Sequence, residues 1–242
     1  MNNSHVRNTN DTGVLAAAAA ALEFVVDGAS IGLGSGRASS AFIRALGERC
    51  RDGLRVRGVA TSLASATLAT SVGIPLVGIE KGLVIELTVD GADEVAPNLD
   101  MVKGWGGALV RERIVAAASR RQVILVGADK LVSTIGERGR VPVEIIPIAQ
   151  WPVTHELLTL GLTPTLRMDS TGANPFVTDN GNLIIDFASP EPIVDGKAAR
   201  ALERAVLDIV GVVDTGLFLG TADRVLVGRS DGSVETRLRN AD

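Results

Sequence analysis

The segment Ala29-Ser30-Ile31-Gly32-Leu33-Gly34-Ser35-Gly36-Arg37 passes from a short apolar run into a glycine-rich turn. A helical pattern follows over Ala38–Cys50, and Arg55–Ala60 has the pattern of a second strand. A strand that is followed by a glycine turn, a helix and another strand is the unit from which parallel sheets are built. The segment therefore predicts an α/β layer.

The same alternation of elements continues as far as residue 130. Upstream of it, the alanine-rich run Val14–Val26 predicts a buried or half-buried helix, and the polar residues 1–12 predict a mobile tail. Further helices are predicted at Ser62–Ser71 and Ala108–Arg120, and further strands at Ile74–Val77, Leu83–Val89 and Gln122–Val126.

From about Val141 the order changes to strand, helix, two strands, helix and strand, which is typical of a split βαβ, ferredoxin-like domain. Asn180-Gly181 is a strong hairpin signal between the predicted strands Phe176–Thr178 and Leu183–Phe187. A last hairpin, around Asp231-Gly232, is expected to rejoin the first sheet. The predicted helices are Ala149–Leu160 and Lys197–Val210. The predicted strands are Val143–Ile146, Thr163–Met168, Phe176–Thr178, Leu183–Phe187, Val212–Phe218, Arg224–Val227 and Val234–Leu238.

These patterns predict two domains. A Rossmann-like catalytic domain with a mostly parallel sheet is expected over residues 13–138 and 217–242. A smaller ferredoxin-like α+β domain is expected over residues 139–216, with a role in oligomerisation.

The composition narrows the possible partners. Of the 242 residues, 46% are hydrophobic and 21% are charged, as in ordinary soluble proteins. A net charge of -4 provides no global attraction for nucleic acid, and Val14–Val26 is too short to span a bilayer. We therefore expect neither a nucleic acid nor a membrane as partner. The single Cys50 suits a reducing cytoplasm. His5 and His155 lie far in sequence from the acidic stretch at residues 90–94, so a histidine-based metal site is not expected, and we predict no metal.

Several predicted strands are followed directly by polar side chains. Ligands gather at the carboxyl ends of the strands in an open parallel sheet, so these side chains are expected to converge. Carboxylates, an ammonium group and hydroxyls suit a polyhydroxylated phosphate ester. The residues are Ser35, Ser62, Asp90, Asp93 and Lys130.

The first glycine loop, Gly34-Ser35-Gly36-Arg37, could hold an anion with the free amides of the following helix. In the run Gly32-Leu33-Gly34-Ser35-Gly36-Arg37, Arg37 takes the place of the last glycine of the dinucleotide-binding pattern G-x-G-x-x-G. This difference disfavours a nucleotide-dependent oxidoreductase. A purely structural turn is the alternative.

The stretch Val89-Asp90-Gly91-Ala92-Asp93-Glu94 offers two carboxylates that could bind sugar hydroxyls and move their protons. A helix cap within a solvated acidic turn is the alternative. Lys130 could similarly serve a phosphate or an enediolate, or be a solvated turn residue.

The segment Lys103-Gly104-Trp105-Gly106-Gly107-Ala108-Leu109-Val110-Arg111-Glu112 is the most informative. Its glycines leave backbone amides accessible to a developing oxyanion. Glu112 falls about one turn into the next helix and could point back at the loop, while Arg111 and Arg113 point elsewhere. The alternative is a surface glutamate in an Arg-Glu-Arg helix face.

Together these segments resemble the type A ribose-5-phosphate isomerases from about Leu22 to Val227. Five blocks in this order are highly specific. Besides the acidic stretch and the segment from Lys103 to Glu112, they are Val141-Pro142-Val143-Glu144-Ile145-Ile146-Pro147, Val177-Thr178-Asp179-Asn180-Gly181-Asn182, and Gly211-Val212-Val213 with Gly216-Leu217-Phe218.

The resemblance implies reversible conversion of ribose 5-phosphate into ribulose 5-phosphate in the pentose phosphate pathway, without cofactor or metal. It implies that Glu112 moves the proton between carbons 2 and 1 through a cis-enediolate. Asp90, Asp93 and Lys103 would bind the sugar and assist ring opening and hydroxyl proton transfer. A homodimer or homotetramer is implied. With the two positions discussed next, the expected substrate-binding residues are Gly34, Ser35, Gly36, Arg37, Gly91, Ala92, Gly104, Trp105, Gly106 and Lys130.

The chain departs from the family's usual pattern in two places. The usual first loop is Gly-Thr-Gly-Ser-Thr, whereas Arg37 and Ala38 stand here in place of the last two hydroxyl residues. We predict that Arg37 binds the phosphate instead. Trp105 stands where glycine is common, so its ring must lie outside the pocket or form a wall of it.

Two other functions compete with the isomerase. An amino-sugar phosphate deaminase would be expected to use a catalytic histidine, and His155 falls in the second predicted domain. A non-catalytic sugar-phosphate-binding regulator would be expected to carry a DNA-binding module, for which the short polar tail leaves no room.

Overall fold

The computed structural model describes residues 9–193 and 196–239. The α-helices of these residues are α1 (Thr9–Ala21), α2 (Gly36–Arg51), α3 (Leu63–Ser71), α4 (Leu109–Ala117), α5 (Gln150–Thr159) and α6 (Gly196–Leu207). The strands are β1 (Ser30–Leu33), β2 (Arg57–Ala60), β3 (Ile85–Gly91), β4 (Glu94–Val95), β5 (Met101–Val102), β6 (Gln122–Gly127), β7 (Val141–Ile145), β8 (Thr163–Leu166), β9 (Leu183–Ala188), β10 (Val212–Thr215), β11 (Leu217–Phe218), β12 (Arg224–Gly228) and β13 (Val234–Leu238).

Of the described residues, the first compact unit contains 9–91, 118–130 and 222–239. Its six-stranded sheet has the order β13-β12-β6-β3-β1-β2. Strands β12, β6, β3, β1 and β2 are parallel, and β13 is antiparallel to β12. β1 and β6 are buried along their whole length, as strands of a covered parallel sheet are. Phe42 and Leu46 of α2 pack with Leu33 and Val89 in the core of this unit.

The second compact unit contains residues 92–117 and 131–221. Its antiparallel sheet has the order β10-β7-β9-β8, and the chain order of its elements is β7-α5-β8-β9-α6-β10. This arrangement is the predicted split βαβ topology. A smaller antiparallel sheet, β11-β5-β4, belongs to the same unit.

The predicted fold class is therefore confirmed: a mostly parallel sheet in one unit and a small antiparallel sheet in the other. The last hairpin rejoins the first sheet as predicted. The boundaries differ from the prediction, because residues 92–117, 131–138 and 217–221 belong to the second unit. The pairing of β11 with β5, which lie far apart in the sequence, places those segments together.

Three predicted strands need correction. Ile74–Val77 makes only an isolated bridge, Gly58 to Leu76, because Pro75 has no N–H to donate to a ladder. Phe176–Thr178 likewise contributes only the bridge between Val177 and Leu183. The run Val212–Phe218 divides at Gly216 into two strands of different sheets, β10 and β11.

The N-terminal prediction is wrong in part. Helix α1 begins at Thr9, so residues 9–12 are helical rather than a mobile tail, and residues 1–8 lie outside the described residues. The alanine run carries the helix through Ala21, since alanine has the highest helix propensity. No helix of residues 9–193 and 196–239 is long and apolar enough to cross a membrane.

Candidate active site

A buried ion pair joins the two charged side chains at the ends of the segment from Lys103 to Glu112. The glycines of this segment, Gly104, Gly106 and Gly107, form the second glycine loop. The Nζ of Lys103 lies 3.2 Å from Oε2 of Glu112, and the two residues are 2% and 5% exposed. Glu112 belongs to the first turn of α4, where a negative charge is favoured by the helix dipole. The alternative of a surface glutamate is therefore wrong, because burial has removed this carboxylate from water.

The neighbours of Glu112 fix the rotation of α4. The Nε of Arg111 donates to Oδ1 of Asn180 at 2.7 Å, and Nη2 donates to the carbonyl of Asp179. The Nε of Arg113 donates to Oδ2 of Asp214 at 2.6 Å. The two arginines point away from Glu112, as expected from the sequence, and hold the helix to two other elements.

An aromatic ring lies between two of these cations. Lys103 Nζ is 5.4 Å from the centre of the Phe218 ring, and the guanidinium of Arg113 is 4.2 Å from it. Both distances permit cation–π attraction, which partly replaces the water that the buried ammonium has lost. Burial raises the pKa of Asp214, and the adjacent Arg113 guanidinium opposes this rise.

The loop between Lys103 and α4 is a tight turn. Gly107 N–H donates to the carbonyl of Gly104 at 3.0 Å, and both glycines have positive φ angles of 85° and 97°. Lys103 N–H donates to the carbonyl of Gly216, whose position would not admit a side chain, because a Cβ there would collide with the Lys103 carbonyl. Gly106 is exposed at the outside of the turn.

Asp93, which directly precedes β4, is hydrogen-bonded to this loop. Its Oδ2 accepts a hydrogen bond of 2.9 Å from the amide of Trp105. The indole Nε1 of Trp105 donates to the carbonyl of Arg140 at 2.9 Å, and the ring packs against the core of the second unit. The amides of Trp105 and Gly107 are thus used within the protein, so the prediction that amides of this loop stabilise an oxyanion does not extend to these two.

Asp90 is fully buried inside β3, so the alternative of a solvated acidic turn is wrong for it. Its Oδ1 accepts hydrogen bonds from the amides of Ser35 and Gly91 at 3.0 and 2.7 Å, and from the hydroxyl of Ser39 at 3.0 Å. Gly34 allows this close approach, since a Cβ there would collide with the Asp90 carboxylate. The carboxylate therefore fixes the first glycine loop.

Hydroxyl groups connect the beginnings of two helices in the first unit. The Oγ of Ser35 lies 2.8 Å from Oγ1 of Thr61 and donates to Oγ of Ser62 at 2.8 Å. Ser35 is the N-cap of α2, and Ser62 caps α3 in a capping box with Ser65. The structure thus brings together Ser35, Ser62 and Asp90, and two helix N-termini favour an anion beside these hydroxyls.

The remaining predicted residues lie at or near the ends of helices and strands. Arg37 is exposed in the first turn of α2, next to Gly36. Gly91 ends β3 and Ala92 follows it, both partly buried. Lys130 is partly buried at the end of the short 3₁₀ turn that follows β6.

Sequence reasoning missed several residues around these groups. Thr61 and Ser39 could have been suspected, since Thr61 follows a predicted strand and Ser39 lies one turn beyond the first glycine loop. Arg167, whose Nη1 donates to the carbonyl of Gly104 at 2.9 Å, carried no such signal. Its contact spans 63 residues of sequence.

Within residues 9–193 and 196–239 no group of three or more His, Cys, Asp or Glu side chains is arranged to hold a metal ion. The second unit contains the buried Glu112 carboxylate paired with the Lys103 ammonium, and the Asp93 carboxylate, which accepts from the loop between them. The carboxylate can move a proton and the ammonium can neutralise a developing oxyanion.

Comparison with known proteins gives a consistent result. Residues 57–232 match the family model of ribose 5-phosphate isomerase A (phosphoriboisomerase A). The ribose-5-phosphate isomerase A of Thermomicrobium roseum is 47% identical over 217 residues, which cover 89% of this chain and 90% of that protein. The corresponding protein of Roseiflexus castenholzii is 43% identical over 232 residues, covering 93% and 95%.

Solved structures agree with this result. The ribose 5-phosphate isomerase A of Methanocaldococcus jannaschii has a TM-score of 0.88 at 38% identity and covers 95% of this chain and 99% of its own. A D-ribose-5-phosphate isomerase in complex with phospho-erythronic acid has a TM-score of 0.89 at 36% identity, with coverages of 96% and 100%. The chain belongs to the ribose 5-phosphate isomerase A family.

Proposed function

We propose that this chain interconverts ribose 5-phosphate and ribulose 5-phosphate, as an aldose–ketose isomerase of the pentose phosphate pathway, with Glu112 as the proton carrier. Family membership supports the overall reaction. The buried Lys103–Glu112 pair is the observation that supports the assignment of the base.

In this proposal the Glu112 carboxylate removes the proton from carbon 2 of the opened aldose and returns it to carbon 1. The negative charge that develops on the cis-enediolate is stabilised by the Lys103 ammonium, which burial makes more effective than it would be in water. Asp93 assists ring opening and the transfer of hydroxyl protons. No metal is needed for these steps.

We propose further groups for the remainder of the substrate. Ser35 and the first turn of α2 bind the phosphate, with Arg37 in place of the usual hydroxyls. Asp90 holds the loop that carries them, through the amide of Ser35. Gly34, Gly36, Gly91, Ala92, Gly104, Trp105, Gly106 and Lys130 complete the proposed set.

The competing functions are not favoured. His155, which a deaminase would need in its site, is exposed on α5. Membership of an isomerase family disfavours a regulator without turnover. A cytoplasmic location stays a prediction that rests on the single Cys50.

A homodimer or homotetramer is part of the proposal. The three most exposed large apolar side chains of residues 9–193 and 196–239 are Val210, Ile148 and Trp151, at 89%, 88% and 76% exposure. All three belong to the second unit, and the hydrogen bond from Ile146 to Gly211 joins their segments. Exposed apolar side chains that lie together are typical of a protein interface.

The test is a coupled assay with ribose 5-phosphate, with and without a chelator. We expect equal activity in both, and loss with the chelator would contradict the metal-free mechanism. In D₂O, label should enter carbon 1 of ribulose 5-phosphate over many turnovers, since Glu112 exchanges its proton with solvent. An active enzyme that incorporates no label would contradict the enediolate.

The assignment of the base is tested by Glu112→Gln, with the exposed Glu156→Gln of α5 as a matched control. Because glutamine cannot accept the proton, we expect kcat to fall about 10³-fold or more while the circular dichroism spectrum is retained. The control should keep its turnover. A folded Glu112→Gln variant with near-normal turnover would eliminate Glu112 as the base.

A further inference from the structure

Arg167 is a buried arginine that follows β8 directly and is 7% exposed. Its guanidinium pairs with both carboxylate oxygens of Asp186 in β9, through Nε at 2.8 Å and through Nη2. Such a bidentate pair fixes the plane of the guanidinium. The remaining nitrogen, Nη1, is therefore held in one direction.

The Nη1 atom of Arg167 points at the second glycine loop. The Nη1 of Arg167 donates to the carbonyls of Gly104 and Trp105, at 2.9 and 3.1 Å. Gly104 is buried, so its carbonyl would have little access to water in place of this donor. The guanidinium thus fixes two successive peptide groups of the turn between Lys103 and α4.

One of these peptide groups also reaches the Asp93 carboxylate. The carbonyl of Gly104 and the N–H of Trp105 belong to the same planar unit, and that N–H donates to Oδ2 of Asp93 at 2.9 Å. Because the carbonyl and the N–H of a trans peptide point in opposite directions, the peptide lies between Arg167 and Asp93. A cation on the carbonyl also polarises the N–H, which strengthens its hydrogen bond to the carboxylate.

We infer that Arg167 is a positioning residue of the isomerase, which fixes the Gly104–Trp105 peptide group and through it the direction of the Asp93 carboxylate. The inference rests on the proposed role of Asp93 in the proton transfers of the sugar. Arg167 acts through the peptide and not on the substrate. Lysine cannot replace it, because a single ammonium group cannot pair with Asp186 in two places and still reach two carbonyls.

A double-mutant cycle of Arg167→Lys and Asp93→Asn tests this inference, with kcat and KM for ribose 5-phosphate measured for all four proteins. We expect Arg167→Lys to lower kcat by about 10-fold or more and to change KM by less than about 3-fold. In the Asp93→Asn background, the same substitution should change kcat by less than about 3-fold, because two residues that act through one shared peptide group are energetically coupled.

Arg140→Lys is the matched control. Arg140 also pairs with Asp186, through Nε at 3.3 Å, but the loop carbonyls accept from Arg167. Both lysine variants keep an ammonium beside Asp186, and only Arg167→Lys should lower kcat. Thermal unfolding of each protein separates lost turnover from lost folded protein.

A loss of kcat that is equal in the two Asp93 backgrounds overturns the inference, as does an equal loss in Arg140→Lys. If Arg167→Lys does not fold, the same cycle is run with Asp186→Asn, which weakens the anchor of Arg167 and leaves the guanidinium in place. Failure of the proposed function would appear differently, as an inactive wild-type protein or an active Glu112→Gln variant.

Discussion

The Lys103–Glu112 pair removes two opposite charges almost completely from water. Removing ions from water costs several kcal/mol each, and their mutual attraction often fails to offset that cost. A buried pair of this kind is therefore weak evidence for stability and better evidence for a functional site. Its position at the two ends of a glycine turn supports a role in moving protons.

At the residue scale, Arg37→Ala tests the replacement of the usual phosphate-binding hydroxyls. A charged hydrogen bond to the phosphate contributes about 1.5–3 kcal/mol, so we expect KM for ribose 5-phosphate to rise about 10-fold or more. The value of kcat should change less, because the phosphate is remote from the reacting carbons.

Arg44→Ala, an exposed arginine of the same helix, is the control for the loss of a positive charge on α2. It should leave KM unchanged at constant ionic strength. If Arg37→Ala also leaves KM unchanged, Arg37 does not bind the phosphate.

At the element scale, the turn from β1 to α2 depends on the absence of a side chain at Gly34. We expect Gly34→Ala to lower the free energy of unfolding by about 1–3 kcal/mol, because its Cβ would displace the Asp90 carboxylate. The same displacement should lower turnover, since Asp90 holds the amide of Ser35.

Urea unfolding and the coupled assay measure the two effects. Gly78→Ala is the matched control, because nothing lies within 4 Å of a Cβ at Gly78 and its φ angle is not positive. Equal stability of the two variants would show that the turn adapts to a side chain at Gly34.

At the same scale, we expect the buried Glu94 of β4 to make the free energy of unfolding depend on pH. Burial raises the pKa of Glu94 above its ordinary value of 4.5, although the amides of Arg138 and Gly136 oppose the rise. The folded protein thus binds this proton more tightly than the unfolded chain, so the contribution of Glu94 to the free energy of unfolding falls as pH rises from 4.5 to the raised pKa. Above that value it is constant.

Glu94→Gln removes this titration. The free energy of unfolding of the wild type minus that of the variant should therefore decrease with pH across the same window, as measured by urea unfolding at several pH values. The exposed Glu156→Gln is the control. A difference that increases with pH would contradict the sign.

Element types followed from local patterns, whereas element boundaries depended on distant partners. The first glycine loop, the helices and the Asn180-Gly181 turn could be predicted from the sequence, because the backbone conformation at these positions is locally determined. The division of residues 212–218 into the two strands β10 and β11 could not be predicted from the sequence. It occurs at Gly216, where the backbone passes close to the Lys103 carbonyl, more than one hundred residues away in sequence.

At the scale of the whole molecule, the exposed apolar side chains of the second unit predict self-association. We expect Trp151→Glu to lower the molecular mass in solution relative to the wild type, because a charge in an apolar contact between copies is unfavourable. Sedimentation equilibrium measures the mass. Val26→Glu, at an exposed apolar residue of the first unit, is the control.

If the wild type is a monomer, the proposed oligomer is wrong. If Trp151→Glu retains the mass of a wild-type oligomer, the contact between copies lies on another surface. The circular dichroism spectrum of each variant checks that the fold is retained.

The sequence by itself determined the fold class, the family and the residue types of the site, because periodicity, turn residues and short motifs are local properties of the chain. Only the tertiary structure decided that Glu112 is buried against Lys103, that Asp90 lies inside a strand, that Arg167 donates to the second glycine loop and that Phe218 lies beside the Lys103 ammonium. Burial and direction depend on residues that are distant in sequence, and no local pattern encodes which distant side chain will displace water from a given carboxylate.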